Sequence, residues 1–286
     1  MKVITSIREM TRFSENLRCQ GRTIAFVPTM GYLHEGHLTL MAEGKKKADH
    51  LVVSIFVNPA QFGPSEDFST YPRAMEQDLE QCKKSGADAV FTPDSAAIYP
   101  SGFQTYVELE KLPLHLCGLS RPVFFKGVAT VVTKLFNIVN PHFALFGEKD
   151  YQQLAIIRQL VIDLNFDITV VGVPIVREPD GLAKSSRNKY LTQKERPHAL
   201  LLYRCIQAAE KMVEDGETDA RKIVDAATEI LLTGPDITVD YVSICDPVTL
   251  DGVTSIQGKA LMAVAVWLGE TRLIDNRMLV VPDTSK

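Results

Sequence analysis

The chain has 286 residues, 45% of them hydrophobic and 23% charged, with a formal net charge of -4. That length fits one large domain, or a larger and a smaller one, able to bury a core without disulfide or metal staples. The slightly acidic balance argues against a chain built as a whole to bind nucleic acid or an anionic membrane.

The opening stretch MKVITSIREM carries charge early and has no apolar run, so it does not read as a signal peptide. Apolar runs predict strands at Ile24–Val27, Leu51–Val57, Ala89–Thr92, Ala144–Phe146 and Ile168–Val173. Helical patterns fall between them at Gly36–Lys47, Arg73–Ser85, Gly127–Val139 and Asp150–Leu164. In the last of these, Leu154, Ile157, Val161 and Leu164 share a stripe that leaves Asp150 and Gln153 outside it. Strands this apolar are expected to be covered on both faces, and strand–helix alternation predicts a doubly wound α/β fold with a parallel, Rossmann-like sheet. The basic run Lys45-Lys46-Lys47 ends a helix, where it complements the dipole.

Beyond about residue 190 the pattern changes. Helices are expected at Lys194–Asp215 and Asp219–Leu232, then strands at Val239–Ile244, Ala260–Trp267 and Leu273–Asn276. This predicts a smaller α+β domain, with the division set at 1–180 and 181–286. Arg177–Leu191 is polar and reads as a loop joining the two; Asn58–Pro72 is a second long loop.

The five cysteines, Cys19, Cys82, Cys117, Cys205 and Cys245, are widely spaced and form no CxxC. They read as free thiols in a reducing compartment, so the cytoplasm is the expected location. No apolar run approaches the roughly 18 residues of a membrane span.

Four segments carry chemistry. Pro28-Thr29-Met30-Gly31-Tyr32-Leu33-His34-Glu35-Gly36-His37 passes from a buried strand into a helix. It sets two histidines on the first helical turn, where unpaired N–H groups and the positive dipole suit phosphate. The same residues also fit a plain strand–helix turn with surface histidines. Zinc is disfavoured, since HEGH differs from HExxH, and neither GxxxxGK[ST] nor GxGxxG occurs. Phe56-Val57-Asn58-Pro59-Ala60-Gln61-Phe62 leaves a strand at its C-terminal end, where open sheets bind ligands. Asn58 and Gln61 can bind hydroxyls and carboxylates there, or serve the turn alone. Gly147-Glu148-Lys149-Asp150-Tyr151-Gln152-Gln153 is a third strand–helix passage, in which Asp150 is also a natural N-cap. Asp180-Gly181-Leu182-Ala183-Lys184-Ser185-Ser186-Arg187-Asn188 is suited to clamping a triphosphate, or to linking two domains.

In this order, PTMGYLHEGH, FVNPAQF, GEKDYQQ and DGLAKSSRN resemble the pantothenate synthetase family, of the nucleotidyltransferase group with HIGH-like and KMSKS-like signatures. Further similarity lies at Trp267-Leu268-Gly269 and Leu273-Ile274-Asp275-Asn276. The resemblance implies that ATP and pantoate form pantoyl-adenylate, which the amine of β-alanine attacks to give pantothenate and AMP. It also implies Mg²⁺ and a homodimer. By position, Met30, Gly31, Tyr32, Leu33, His34, Glu35, Gly36 and His37 would lie along ATP, with His37 as proton donor and His34 and Lys149 assisting. Gly147, Glu148, Lys149, Asp150 and Val176 would also contact the nucleotide, and Lys184, Ser185, Ser186 and Arg187 would close over it. Gln61 and Gln153 would hold pantoate, and Gln61 would approach β-alanine; no metal ligands are implied.

Two residues depart from the family pattern. Lys184 stands where Met or Leu often precedes the paired serines, and Phe124 stands where a histidine is common. Two other functions share these features: a nucleotidylyltransferase that releases a nucleotidyl product, and a nucleotide-binding module without turnover. The amide-bearing segments around Gln61 and Gln153 argue against the first. Two histidines, two lysines and a Ser-Ser-Arg loop exceed what the second needs.

Overall fold

A computed structural model of the protein describes residues 1–64 and 66–282. In chain order the elements are β1 (Lys2–Ile4), α1 (Ile7–Cys19), β2 (Ile24–Thr29), α2 (Glu35–Lys47), β3 (His50–Ile55), α3 (Met75–Lys84), β4 (Ala89–Phe91) and α4 (Ser95–Ile98). There follow α5 (Cys117–Ser120), α6 (Phe124–Val139), β5 (Phe143–Gly147), α7 (Tyr151–Asp163), β6 (Thr169–Val173) and α8 (Arg196–Ala199). The chain closes with α9 (Leu201–Glu214), α10 (Ala220–Leu232), β7 (Ile237–Cys245), β8 (Lys259–Leu268) and β9 (Thr271–Val280). These elements form two compact units, one of residues 1–110, 121–148 and 156–175, the other of 111–120, 149–155 and 176–286.

The first unit holds a six-stranded sheet of order β1-β4-β3-β2-β5-β6, parallel at every pairing. The chain runs β2, β3, β4 in one direction and β5, β6 in the other, as the doubly wound reading requires. Its strands are apolar throughout because both faces are covered. Ala25, Val27, Leu51, Val53 and Leu145 pack with Leu40 and Met41 of α2 and Cys82 of α3. Burial pushes the Cys82 thiol up to about 12, which keeps it inert. On α6, Phe136 sets its ring edge-on against Phe146 and Phe166.

Strand β1 and helix α1 lie outside the sequence expectations, as do the single-turn helices α4 and α5. Strand β1 buries only Ile4 and pairs at the sheet edge with β4, so its pattern is short and mostly exposed. Helix α1 starts at Ser6, whose hydroxyl accepts from the Glu9 N–H. In α7, Leu154, Ile157 and Val161 are buried as expected, whereas Leu164 is 46% exposed because the helix stops at Asp163.

The second unit is a three-stranded antiparallel sheet, β7-β8-β9, packed with α9 and α10. Cys205, Ile206 and Ala209 of α9 and Ile223 and Leu231 of α10 share its core with Met262, Val264, Val266 and Leu279. This is the expected small α+β arrangement. Strand β9 runs past the expected end at Asn276 to Val280, because buried Asp275 and Asn276 interrupt its apolar run without ending it.

Candidate active site

Parallel strands place all their C-terminal ends on one edge, and the candidate segments of the first unit leave from there. Thr29 ends β2 and leads into Met30–His37; Ile55 ends β3 and leads to Gln61; Gly147 ends β5. The strand order reverses between β2 and β5, the switch point at which open α/β sheets bind ligands.

The passage after β2 is a strained turn. Gly31 has φ +82 and Tyr32 φ 51, and a Cβ on Gly31 would stand 2.9 Å from Asp78 Oδ2. The buried Asp78 carboxylate of α3 holds the turn, accepting from the Tyr32 and Leu33 N–H groups at 2.8 Å each. The next residue caps α2. His34 Nδ1 accepts from the Gly36 N–H at 3.1 Å, and the His34 N–H donates to His37 Nδ1 at 3.2 Å. A Cβ on Gly36 would stand 2.9 Å from the His34 ring, so any side chain there would push the capping imidazole aside. The two rings lie 4.1 Å apart. With both Nδ1 atoms engaged as acceptors, a neutral ring at either position carries its proton on Nε2. Glu35 is exposed in the first turn.

Gln61 is buried, and its orientation is set by a chain of bonds. Asn58 Oδ1 accepts from the Ala60 N–H at 3.3 Å and from the Tyr99 hydroxyl at 2.7 Å. Asn58 Nδ2 donates to the Gly127 carbonyl and to Gln61 Oε1, both at 3.1 Å. The main-chain partners fix which end of the Asn58 amide is which, and Asn58 in turn fixes Gln61. Gln61 Nε2 then donates to Met30 Sδ at 3.0 Å, a weak acceptor that a carboxylate or hydroxyl oxygen would displace. Arg121 braces the same turn: its Nε donates to Glu66 at 2.9 Å and its guanidinium lies 3.7 Å over Phe124. Phe124, the departure from the family pattern, is therefore the platform for this arginine.

The remaining candidate residues belong to the second unit, apart from Gly147 and Glu148. Lys149 and Asp150 form a single 3₁₀ turn with Glu148, and Gln153 lies on the first turns of α7. The Lys184 N–H donates to the Val176 carbonyl at 2.9 Å, which brings those two together. Ser185 caps a 3₁₀ helix over Ser186–Tyr190, its hydroxyl accepting from the Arg187 N–H. The polar segment is thus a folded turn. Asn188 Nδ2 donates to Glu178 Oε1 at 2.8 Å, and Arg196 pairs with Glu178 and Asp180. Burial is the largest single influence on the Asp180 carboxyl and would raise it, but the bonds from Arg196 and the Leu182 N–H and the Arg196 charge together hold it below its ordinary value.

Sequence reasoning missed the residues that hold these segments. Asp78 reads as a dipole-complementing first-turn acid, and Tyr99 as an isolated aromatic. Gln152, beside Gln153, is buried and ties down a different strand of chain, donating to the Leu112 and His115 carbonyls and accepting from the Cys117 N–H.

The family described as "Pantoate-beta-alanine ligase" matches residues 2–278. A protein named pantothenate synthetase from Desulfatibacillum aliphaticivorans is 56% identical over 279 residues, 98% of this chain and 99% of that one. The crystal structure of pantothenate synthetase from Thermus thermophilus superposes with a TM-score of 0.93 at 42% identity, covering 99% of this chain and all of that one. A Francisella tularensis pantoate-beta-alanine ligase, described as complexed with beta-gamma ATP and beta-alanine, gives 0.80 at 32% identity over 97% of each chain. A match along nearly the full chain, with the strained turn, the paired imidazoles and the oriented glutamine in its span, makes this chain a member of the pantoate–beta-alanine ligase family.

Proposed function

We propose that the chain joins pantoate to β-alanine at the expense of ATP, through a pantoyl-adenylate, with release of pyrophosphate and AMP. The observation that carries this reading is the pair of imidazoles locked at the N-terminus of α2 through their Nδ1 atoms, which puts the proton of a neutral ring on Nε2 as a donor. A helix N-terminus with two such donors suits the charge that builds on a departing pyrophosphate. The Francisella tularensis relative, whose description names ATP and β-alanine, supports the choice of substrates.

A carboxylate is a poor acylating agent, because oxide would have to leave. Adenylation supplies AMP as the leaving group, and the protein has to align pantoate oxygen with the α-phosphorus rather than provide a nucleophile. In this reading Gln61 and Gln153 hold pantoate, and Gln61 also borders the β-alanine position. Met30 to His37, Gly147, Glu148, Lys149, Asp150 and Val176 line the nucleotide. His34, His37 and Lys149 stabilise the triphosphate charge, and Lys184, Ser185, Ser186 and Arg187 close over it. The two half-reactions share one acyl-phosphate intermediate, shielded from water.

Mg²⁺ belongs to the same proposal. Among the described residues no three His, Cys, Asp or Glu side chains gather as metal ligands. Mg²⁺ keeps several waters and is commonly held through substrate phosphates, so it would enter as the MgATP complex and not in a protein cage. A homodimer and a cytoplasmic location complete the reading; five free thiols fit a reducing compartment. Among the described residues no helix is long and apolar enough to cross a membrane.

The test is exchange of labelled pyrophosphate into ATP with pantoate and Mg²⁺ but without β-alanine. Exchange is expected. A strict requirement for β-alanine would replace the two-step scheme, and exchange with an unrelated acid but not pantoate would overturn the substrate.

A further inference from the structure

Asp275 and Asn276 lie on β9, in a motif that none of the roles above uses. Asp275 is 2% exposed, which for a carboxylate demands partners. It has three: Arg177 Nη1 at 2.6 Å, Arg177 Nη2 at 2.9 Å and the Asn276 N–H at 2.8 Å. The same Arg177 donates to the Gly181 carbonyl at 3.0 Å and lies 4.6 Å over the Tyr203 ring. Gly181, at φ +100, is pressed so close to Tyr203 that a Cβ would come within 2.1 Å of it. Asp275 therefore anchors the stem that carries Val176 and, through the Val176–Lys184 bond, the Ser-Ser-Arg turn.

Asn276 reaches a different part of the chain. Its Nδ2 donates to the Lys149 carbonyl at 2.8 Å across 127 positions of sequence. Successive side chains of a strand leave opposite faces. One dipeptide thus grips the Arg177 stem with one residue and the Lys149 turn with the next. Buried ion pairs contribute little net stability against an apolar substitute, so a pair this well satisfied is better explained by what it orients.

We infer that Asp275 and Asn276 are positioning residues that hold the Lys149 turn and the Val176–Arg187 segment in one register, so that both meet the same nucleotide. The inference rests on the reading of Lys149 and Val176 as nucleotide contacts. Holding the Lys149 carbonyl fixes its Cα, and with it the arc its ammonium can sweep. Holding Arg177 fixes where the closing turn begins.

A double-mutant cycle tests this on the full-length protein, with pyrophosphate exchange, measured as ATP and pantoate are varied in turn, as the readout. Asn276→Ala should slow exchange about tenfold and raise the KM for ATP, leaving that for pantoate unchanged; a lost hydrogen-bonded contact has effects of this order. Lys149→Met should slow exchange more, and the double variant should be no slower than Lys149→Met alone. Melting temperatures should respond additively, which a merely structural role would also give, so the coupling in rate decides. Should Asn276→Ala fail to fold, Asp275→Asn serves: it should raise the KM for ATP and speed tryptic cleavage after Lys184 and Arg187. Additive rates, or exchange indifferent to Asn276 and Asp275, overturn the inference while leaving the proposed function standing. Exchange indifferent to Lys149→Met removes Lys149 from the nucleotide site, and the inference falls with that assignment.

Discussion

The main-chain N–H of His34 donates to Nδ1 of His37, so the ring proposed to serve the phosphates also caps its own helix. His34 does the same for Gly36. Each imidazole thus has a structural nitrogen and, in the proposed mechanism, a chemical one, and substitutions can separate the two duties.

Asparagine is a good N-cap, whereas alanine is a poor one. His34→Asn should therefore keep the thermal stability of the protein and lose activity with the imidazole. His34→Ala should lose activity and about 1 kcal/mol of stability besides. His37→Ala should slow turnover by about 10²–10³-fold, the usual effect of removing one such donor. Thermal melts run alongside exchange assays distinguish these cases. Near-normal turnover in folded His37→Ala would remove His37 from the mechanism.

Tyr99→Phe removes one hydroxyl and leaves the ring between Phe56 and Phe103. Burial pushes this phenol well above its ordinary pKa, so it stays protonated and donates to Asn58 at any working pH. Without it the amide that orients Gln61 is held less firmly. The KM for pantoate should rise about three- to tenfold with kcat little changed, in line with one lost buried bond. Steady-state kinetics against pantoate would read this, and an unchanged KM would rule out the relay.

Adjacent glutamines should behave differently. Gln152→Ala strands two carbonyls and an N–H that Gln152 now satisfies, at a cost of about 1–3 kcal/mol or more in stability. Gln153→Ala should leave the urea midpoint in place and weaken pyrophosphate exchange. Equal effects of the two on stability would contradict the division of labour.

His142 should make stability depend on pH. Its Nδ1 accepts from the Ile24 N–H at 3.0 Å, which ties the start of β2. Burial first, and the Arg18 charge second, hold its pKa below 6.5. The unfolded chain therefore takes up this proton before the folded one does. The stabilising contribution is complete above about pH 6.5 and is lost as pH falls toward the lower folded value. Urea midpoints at two pH values, about 7.5 and 5, should differ more for the natural protein than for His142→Asn.

Much of this was legible in the sequence, for physical reasons. Strands covered on both faces must be apolar, so β2, β3 and β5 announced themselves. Three of the four candidate segments start at strand ends because a parallel sheet puts its carboxyl ends on one edge. Helix α1 was legible in principle, since Ser6 and Glu9 form the S-x-x-E signal of a helix start. The supports were not legible. Nothing local marks Asp78 as the clamp of a turn 45 positions earlier, and nothing marks Asn276 as the partner of Lys149. Such roles depend on long-range placement, which periodicity does not encode.

The make-up of the second unit bears on how the protein is synthesised and cut. Residues 111–120 and 149–155 belong to it but leave the ribosome well before residues 176–286, its main body. Both strips must wait for partners not yet translated, with the Gln152 bonds among the few they can make to each other in the meantime. A fragment ending near residue 175 would carry them with the rest of their unit missing. Separate expression of the two units therefore calls for splicing out the strips or permuting the chain, and a single cut will not release either unit whole.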